Sequence, residues 1–181
     1  MGLIETVLIA FWAMLPAYVP NNAAVLAGGG RPIDAGRTWG GRRVLGDGKT
    51  WRGTAVGTLF GAGLAALLNL LRPDAADLLG ASLPSFTAVT ALTLALGAML
   101  GDILASFLKR RTGRQRGAPF PGVDQLDFVV VALALTLLAA PGWFGEVFTL
   151  PVLAVVLVVT PVLHVGTNAI AYVIGVKDEP Y

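Results

Sequence analysis

Cysteine is absent from this chain, histidine occurs once and charge is sparse, and each shortage removes a class of function. Without cysteine there are no disulfides and no thiolate metal sites. With His164 alone, a zinc site built from several histidines is impossible. Only 13% of the 181 residues are charged, against roughly 25% in soluble domains. Apolar residues fill the gap: 55% of the chain is hydrophobic and mean hydropathy is +0.73. These figures place the chain in a membrane, as a single domain over 1–181. The leading apolar segment has no basic n-region and no small-residue cleavage motif, so it reads as a retained helix rather than a signal peptide.

A spanning helix needs roughly 20 mostly apolar residues. Five segments qualify or nearly so: Leu3–Tyr18, ended by Pro20; Trp51–Leu71, ended by Pro73; Phe86–Leu108; a short Leu126–Ala140; and Val147–Val176. Pro151 and Pro161 interrupt the last of these. Prolines in membrane helices usually kink rather than end them, so one bent helix is expected, with a re-entrant pair as the alternative. The fold class is all-α, polytopic, with about five transmembrane helices. Arg31, Arg37, Arg42, Arg43, Lys49 and Arg52 fall between helices one and two. Lys109, Arg110, Arg111, Arg114 and Arg116 fall between helices three and four. The intervening connections carry only Arg72. The positive-inside rule puts both basic loops, about 20–50 and 109–124, in the cytoplasm. The N-terminus is then outside and the C-terminus, with Lys177, Asp178 and Glu179, inside. Retention of topology explains part of this charge without any further role.

Some polar residues sit where lipid disfavours them. Asp102 follows the run ALTLALGAML, about two turns inside helix three, and an intramembrane carboxylate is costly enough to suggest function. Ser106, Lys109 and Arg110 follow at i+4, i+7 and i+8 and share its face. A buried ion pair with a neighbouring arginine is the plainer use of Asp102. Asp124 and Asp127 stack at i, i+3 where helix four begins. Asp124 could serve simply as an N-cap, with Asp127 complementing the helix dipole. Three carboxylates at one membrane mouth, with no Cys and no His cluster, imply a hard cation, Mg²⁺ or Mn²⁺. Gly53, Gly57 and Gly61, and Gly97, Gly101 and Ala105, recur every fourth residue as packing faces. His164 and Asn168, at i, i+4, suit interhelical hydrogen bonds or a polar pocket wall. Asn21 and Asn22 follow Pro20 at the cytoplasmic end of helix one, and Gly28 to Gly30 make the first cytoplasmic loop the one expected to move.

The stretch GDGKTWRG, Gly46 to Gly53, contains a GKT that resembles a phosphate loop. A P-loop requires glycine five residues before Gly48, where Arg43 stands, and a preceding buried strand, where RTWGGRR stands. The motif fails on both counts, yet it leaves a lysine and a threonine at a helix entrance, where free N–H groups favour phosphate. Acids for a metal and cations for phosphates together suit a polyphosphate substrate. A site open to cytosol and lipid suggests a soluble nucleotide meeting a lipid acceptor.

The segment from Ser106, SFLKRRTGRQRGAPFPGVDQLD, resembles the signature of the CDP-diglyceride synthases (phosphatidate cytidylyltransferases): Ser, Lys-Arg, a basic stretch, a Pro-Gly turn and Asp-x-x-Asp. KTWRG is similar to a second element of those enzymes, and the two together cover about a third of the chain. In its small size the chain resembles the compact archaeal branch, the CDP-archaeol synthases. The resemblance implies CTP and an isoprenoid ether-lipid phosphate, digeranylgeranylglyceryl phosphate, as substrates. It also implies contact with membrane lipids but no nucleic-acid partner, residence in the cell membrane and an active site facing the cytoplasm. It implies Asp102 and Asp124 as Mg²⁺ ligands, with Asp127 as a further ligand or just behind them. Lys109 and Arg110, with Lys49, Thr50, Arg52 and Ser106, would hold the triphosphate, and Asn21 and Asn22 would contact the nucleotide. The motif departs from the family where PFPGVDQ replaces a His-Gly-Gly run, where Gln125 replaces arginine and where Arg116-Gly117 replaces Lys-Asp. Other readings compete. CDP-alcohol phosphotransferases use Asp-x-x-x-Asp, a different spacing. A small cation transporter or channel lined by Asp102 would pass ions without CTP, and a lipid-binding scaffold would need none of the three acids.

Overall fold

The computed structural model describes residues 2–114, 122–173 and 175. Its elements are α1 (Leu3–Tyr18), α2 (Pro20–Ala27), β1 (Thr38–Trp39), β2 (Arg42–Arg43), α3 (Trp51–Leu79), α4 (Ala88–Arg111), α5 (Val123–Ala139), α6 (Pro141–Val147) and α7 (Leu150–Val173). Leu3–Ala27, Trp51–Leu79, Ala88–Arg111 and Leu150–Thr167 are long and apolar enough to cross a membrane. With 17 residues, α5 rises about 25 Å, short of the roughly 30 Å hydrocarbon core. The expected fourth span, already short in the sequence, is therefore the one that the helix lengths do not supply.

The prolines act differently from expectation at two places. Pro20 does not end the first span; it opens α2 at a position where a missing N–H costs nothing. Segment 20–27 is accordingly helical rather than loop. Pro73 lies inside α3, which runs on to Leu79 and closes with Gly80 in the left-handed conformation, φ 59°. The last segment is one helix, as expected: α7 runs from Leu150 to Val173 with Pro151 in its first turn and Pro161 inside it, and the short α6 ends ahead of it at Val147. Lys177, Asp178, Glu179, Val176, the 115–121 stretch with Arg116 and Gly117, and the side chain of Asn168 lie outside the described residues.

Glycines set the helix seams. A Cβ on Gly97 would lie 2.5 Å from the Ala132 Cα, and one on Gly101 would lie 2.5 Å from the Asp127 carbonyl oxygen and the Phe128 Cα. The α4 and α5 backbones are thus in direct contact, which only residues without a side chain permit. On the other face, Gly61 meets the Pro16 carbonyl at 2.5 Å and Gly57 the Pro20 carbonyl at 2.7 Å, measured to the same notional Cβ. Pro16 has no helical donor for its carbonyl, because the residue four on is Pro20 and lacks an N–H.

At one end of the bundle the α3–α4 connection is pinned by side chains. Asn69 Nδ2 donates to the Phe86 carbonyl and its Oδ1 accepts from the Phe86 N–H, both at 2.7 Å. Trp12 Nε1 donates to the Pro84 carbonyl at 3.0 Å and Trp143 Nε1 to that of Ser85 at 2.7 Å. At the opposite end both basic loops meet. Arg111 donates to the carbonyls of Trp39 (2.7 Å) and Arg43 (3.0 Å) and lies over the Trp39 ring at 5.2 Å. The short β1–β2 hairpin, which no periodicity in the sequence foretold, is held onto the end of α4 by Arg111 and by the Trp39 ring packed against that of Phe107 at 6.1 Å.

Candidate active site

The first basic loop is organised around Asp34, a buried carboxylate. Arg43 donates to it through two nitrogens, at 2.8 and 3.2 Å. The backbone N–H groups of Gly36, Leu45 and Gly46 donate to it at 3.1, 3.0 and 3.0 Å. The Arg43 guanidinium beside Asp34, helped by these N–H groups, holds its carboxyl well below the usual carboxylate range. Asp47 ties the other side of Arg43 at 2.7 Å. Ile33 N then donates to the Lys49 carbonyl at 2.9 Å and Trp51 N to that of Arg31 at 3.2 Å, which closes the loop at the entrance of α3. Arg43 and Arg111 are therefore structural cations, and Lys49 is set in place by its backbone.

Beneath this loop opens a cavity of about 690 Å³, within the roughly 300–1,000 Å³ range of small-molecule sites. α4 contributes Asp102, Ser106, Lys109 and Arg110; α5 contributes Asp124 and Asp127; the loop contributes Lys49. Asn21 and Asn22 line it from α2 and His164 from α7. Asp102, distant in sequence from Asp124 and Asp127, is brought to their cavity by the glycine seam: Gly101 rests on Asp127, and Asp102 is the next residue along α4. Thr50 and Arg52 do not line the cavity. Thr50 is buried as the N-cap of α3, its Oγ1 accepting from Gly53 N at 3.0 Å. Arg52 packs its stem against Gly30, which has φ +97°.

The charges are paired across elements. Lys49 Nζ donates to Asp102 Oδ2, so the partner of Asp102 is a lysine, not the arginine that its neighbourhood suggested. Lys109 Nζ is 2.7 Å from Asp124 Oδ1. Among the described residues no three acidic or histidine side chains converge into a metal cage. The donors are all carboxylate oxygens, which suits Mg²⁺; that ion commonly takes one or two carboxylates and fills its shell with water and phosphate oxygens. Asn21 Oδ1 is buried with no hydrogen-bond partner among the described residues. Such an orphan acceptor in a cavity wall fits a ligand that brings a donor.

The floor was not legible in the sequence. Tyr18 OH and Thr160 Oγ1 lie 2.9 Å apart across α1 and α7, and Thr160 donates to the Val156 carbonyl at 2.7 Å. Phe11 and Phe128 hold the Tyr18 ring at centroid distances of 6.1 and 6.0 Å. One polar tip in an apolar helix carries no local signal; only the 142-residue separation from its partner gives it meaning.

The family model for "CarS-like: CDP-archaeol synthase" matches residues 3–181. A CDP-archaeol synthase of Halobacterium salinarum is 72% identical over 181 residues, covering 100% of both chains. One from Methanococcoides burtonii is 53% identical over 176 residues, 93% of this chain and 100% of that one. A solved structure, described as an intramembrane enzyme for archaeal membrane lipids biosynthesis, is 38% identical and superimposes with a TM-score of 0.68 over 90% of this chain and 94% of its own. None of these relatives is described as a transporter. With a cavity of paired lysines and carboxylates at the mouth of its glycine-seamed helices and relatives that match it end to end, the chain belongs to the CarS-like CDP-archaeol synthase family.

Proposed function

We propose that this chain is a membrane cytidylyltransferase. It moves CMP from CTP to the phosphate of an isoprenoid ether lipid, giving CDP-archaeol and pyrophosphate. The observation that carries the reading is the convergence of Lys49, Lys109, Arg110, Asp102, Asp124 and Asp127 on one cavity that also has an apolar flank of Phe11, Leu15 and Leu163. The polar half suits a triphosphate and the apolar half a lipid.

The lipid phosphate is already anionic, so attack on the α-phosphorus needs no strong general base. Positioning and charge neutralisation do most of the work. Lys49 and Lys109 are held ready by Asp102 and Asp124 and exchange a carboxylate for a phosphate oxygen when the nucleotide arrives. Arg110 neutralises the departing end. Asp102 and Asp124, with Asp127 adjacent, would hold Mg²⁺, which neutralises phosphate charge when bound. Five spans, with the basic end in the cytoplasm of the cell membrane, agree with the loop charges and with a site that draws CTP from the cytosol.

The test is transfer of label from α-³²P CTP into lipid by protein in detergent, with an archaeal ether-lipid phosphate, with phosphatidate or with no lipid, each in Mg²⁺ or EDTA. Transfer is expected only with a lipid phosphate and Mg²⁺, and the ether lipid should be the better acceptor. Asp102→Asn and Asp124→Asn should each lower kcat by at least roughly 100-fold while helical content stays unchanged. Wild-type turnover in either variant at saturating Mg²⁺ would remove that residue from the mechanism.

A further inference from the structure

One face of the first span grades from apolar to polar as it lines the cavity. Phe11, Leu15, Tyr18 and Asn22 follow at i, i+4, i+7 and i+11, and all four border the cavity. Val19 keeps a helical backbone, φ −90° and ψ −29°, so this face continues from α1 into α2. Tyr18 stands at the boundary, about 5 Å along the axis from Leu15 and about 6 Å from Asn22. Its ring rests against Phe11 and Phe128, and Phe128 is the residue that follows Asp127 on α5. The ring is thus fixed, and the hydroxyl proton is the part free to turn. Its direction follows from a count of protons. A threonine hydroxyl carries one, and Thr160 donates it to the Val156 carbonyl. Thr160 therefore accepts, and Tyr18 is the donor across the 2.9 Å contact.

We infer that Tyr18 seats the head of the lipid acceptor: its hydroxyl turns from Thr160 to an oxygen of the lipid's glycerol, between the phosphate and the chains. The inference rests on reading the apolar flank as the lipid's half of the cavity. At the junction of phosphate and chains a glycerol lipid offers oxygen acceptors and no donor. Phe11, Leu15 and Leu163 have no donor to give them, and the Thr160 proton is spent on Val156. The Tyr18 proton is held by an acceptor that can release it without harm. Thr160 keeps its own bond to Val156 when Tyr18 turns away, so the exchange strands no buried donor. A tyrosine suits the place because its ring belongs to the apolar side and its tip to the polar one. With the glycerol fixed at this depth, the phosphate is set toward Asp127 and the lysines, where the nucleotide's α-phosphorus has to meet it.

The competing role for the Tyr18–Thr160 bond is a clamp between α1 and α7, and two variants that break the same bond separate the two. Binding of an archaeal ether-lipid phosphate is measured in neutral detergent, without CTP, for wild type, Tyr18→Phe and Thr160→Val. Hexadecyl phosphate, which keeps a phosphate and a chain but has no glycerol oxygens, is the second probe. Tyr18→Phe should bind the ether-lipid phosphate about tenfold more weakly and hexadecyl phosphate less than about twofold more weakly. Thr160→Val, which frees the Tyr18 proton, should bind the ether-lipid phosphate at least as tightly as wild type. A clamp predicts instead that both variants lose both probes alike, and that result overturns the inference. So does an unchanged affinity in Tyr18→Phe, or a wild type that does not prefer the glycerol lipid. In the transfer assay, Tyr18→Phe should raise KM for the lipid by the same factor and leave KM for CTP in place; a CTP KM that rises in step overturns the role. Wild type that shows the binding preference but transfers no label would remove the cytidylyltransferase reading and leave the lipid seat standing. Transfer that persists with equal lipid binding in Tyr18→Phe would remove the seat alone.

Discussion

Asn21 brings a carbonyl oxygen to the cavity wall with no donor to meet it among the described residues. Cytosine offers an exocyclic amine where uracil offers a second acceptor. A buried acceptor left facing another acceptor is penalised by far more than a lost contact. Asn21→Ala should therefore lower the preference for CTP over UTP by roughly tenfold or more, measured as a ratio of kcat/KM values. An unchanged ratio would show that the base is read elsewhere. Asp34 makes a different prediction. Its folded pKa lies below its unfolded value near 3.9, so its contribution is fully present above that value. It is lost as pH falls below about 4 and the carboxyl takes a proton. Amide exchange at Leu45 and Gly46 should accelerate in that acid window. In Asp34→Asn it should be fast at neutral pH and lose the acid transition, and a wild-type profile in that variant would refute the role. Asp34 was passed over in the sequence because it is one acid among arginines in a glycine-rich loop. Asp102 stood out because the largely apolar run ALTLALGAML leads up to it.

At the scale of elements, the glycine rhythm was legible and its partner was not. Four-residue spacing announces a close approach, but only the folded chain shows that Gly97 and Gly101 meet α5 and that Gly57 and Gly61 meet the prolines of α1 and α2. The proline breaks were misjudged for a physical reason. Pro20 falls where a helix begins and needs no donor, and Pro73 sits inside a helix that runs on to Leu79. The α4–α5 seam yields a controlled experiment. Gly101→Ala should cost about 1–3 kcal/mol of stability and depress transfer further by moving Asp127. Gly63→Ala, with nothing within 4 Å of its notional Cβ, should be neutral or slightly stabilising because alanine is the better helix former. Thermal melting in detergent reads both, and equal melting temperatures would mean that the seam can give way.

For the molecule as a whole, the two ends differ in chemistry. One is stitched by Asn69, Trp12 and Trp143 to backbone carbonyls and sets Arg72 beside the acids Glu5, Asp74 and Asp77. The other gathers both basic loops around the cavity. The absence of cysteine makes its orientation directly measurable, since any introduced thiol is unique. Arg37→Cys should react with an impermeant maleimide only in inverted membranes, and Asp74→Cys only in intact cells. The reverse pattern would overturn the five-span arrangement with its basic end inside.

The contacts of Asp34 also set an order in time. Its partners lie 2 to 12 residues away, so the first loop can close as soon as residue 46 leaves the ribosome. Lys49 must wait 53 residues for Asp102, and Tyr18 waits 142 for Thr160. At about 5–20 residues per second, the loop stands complete for seconds before the chamber beneath it has a floor. A nascent chain stalled before α7 would thus display a finished entrance over an unfinished room.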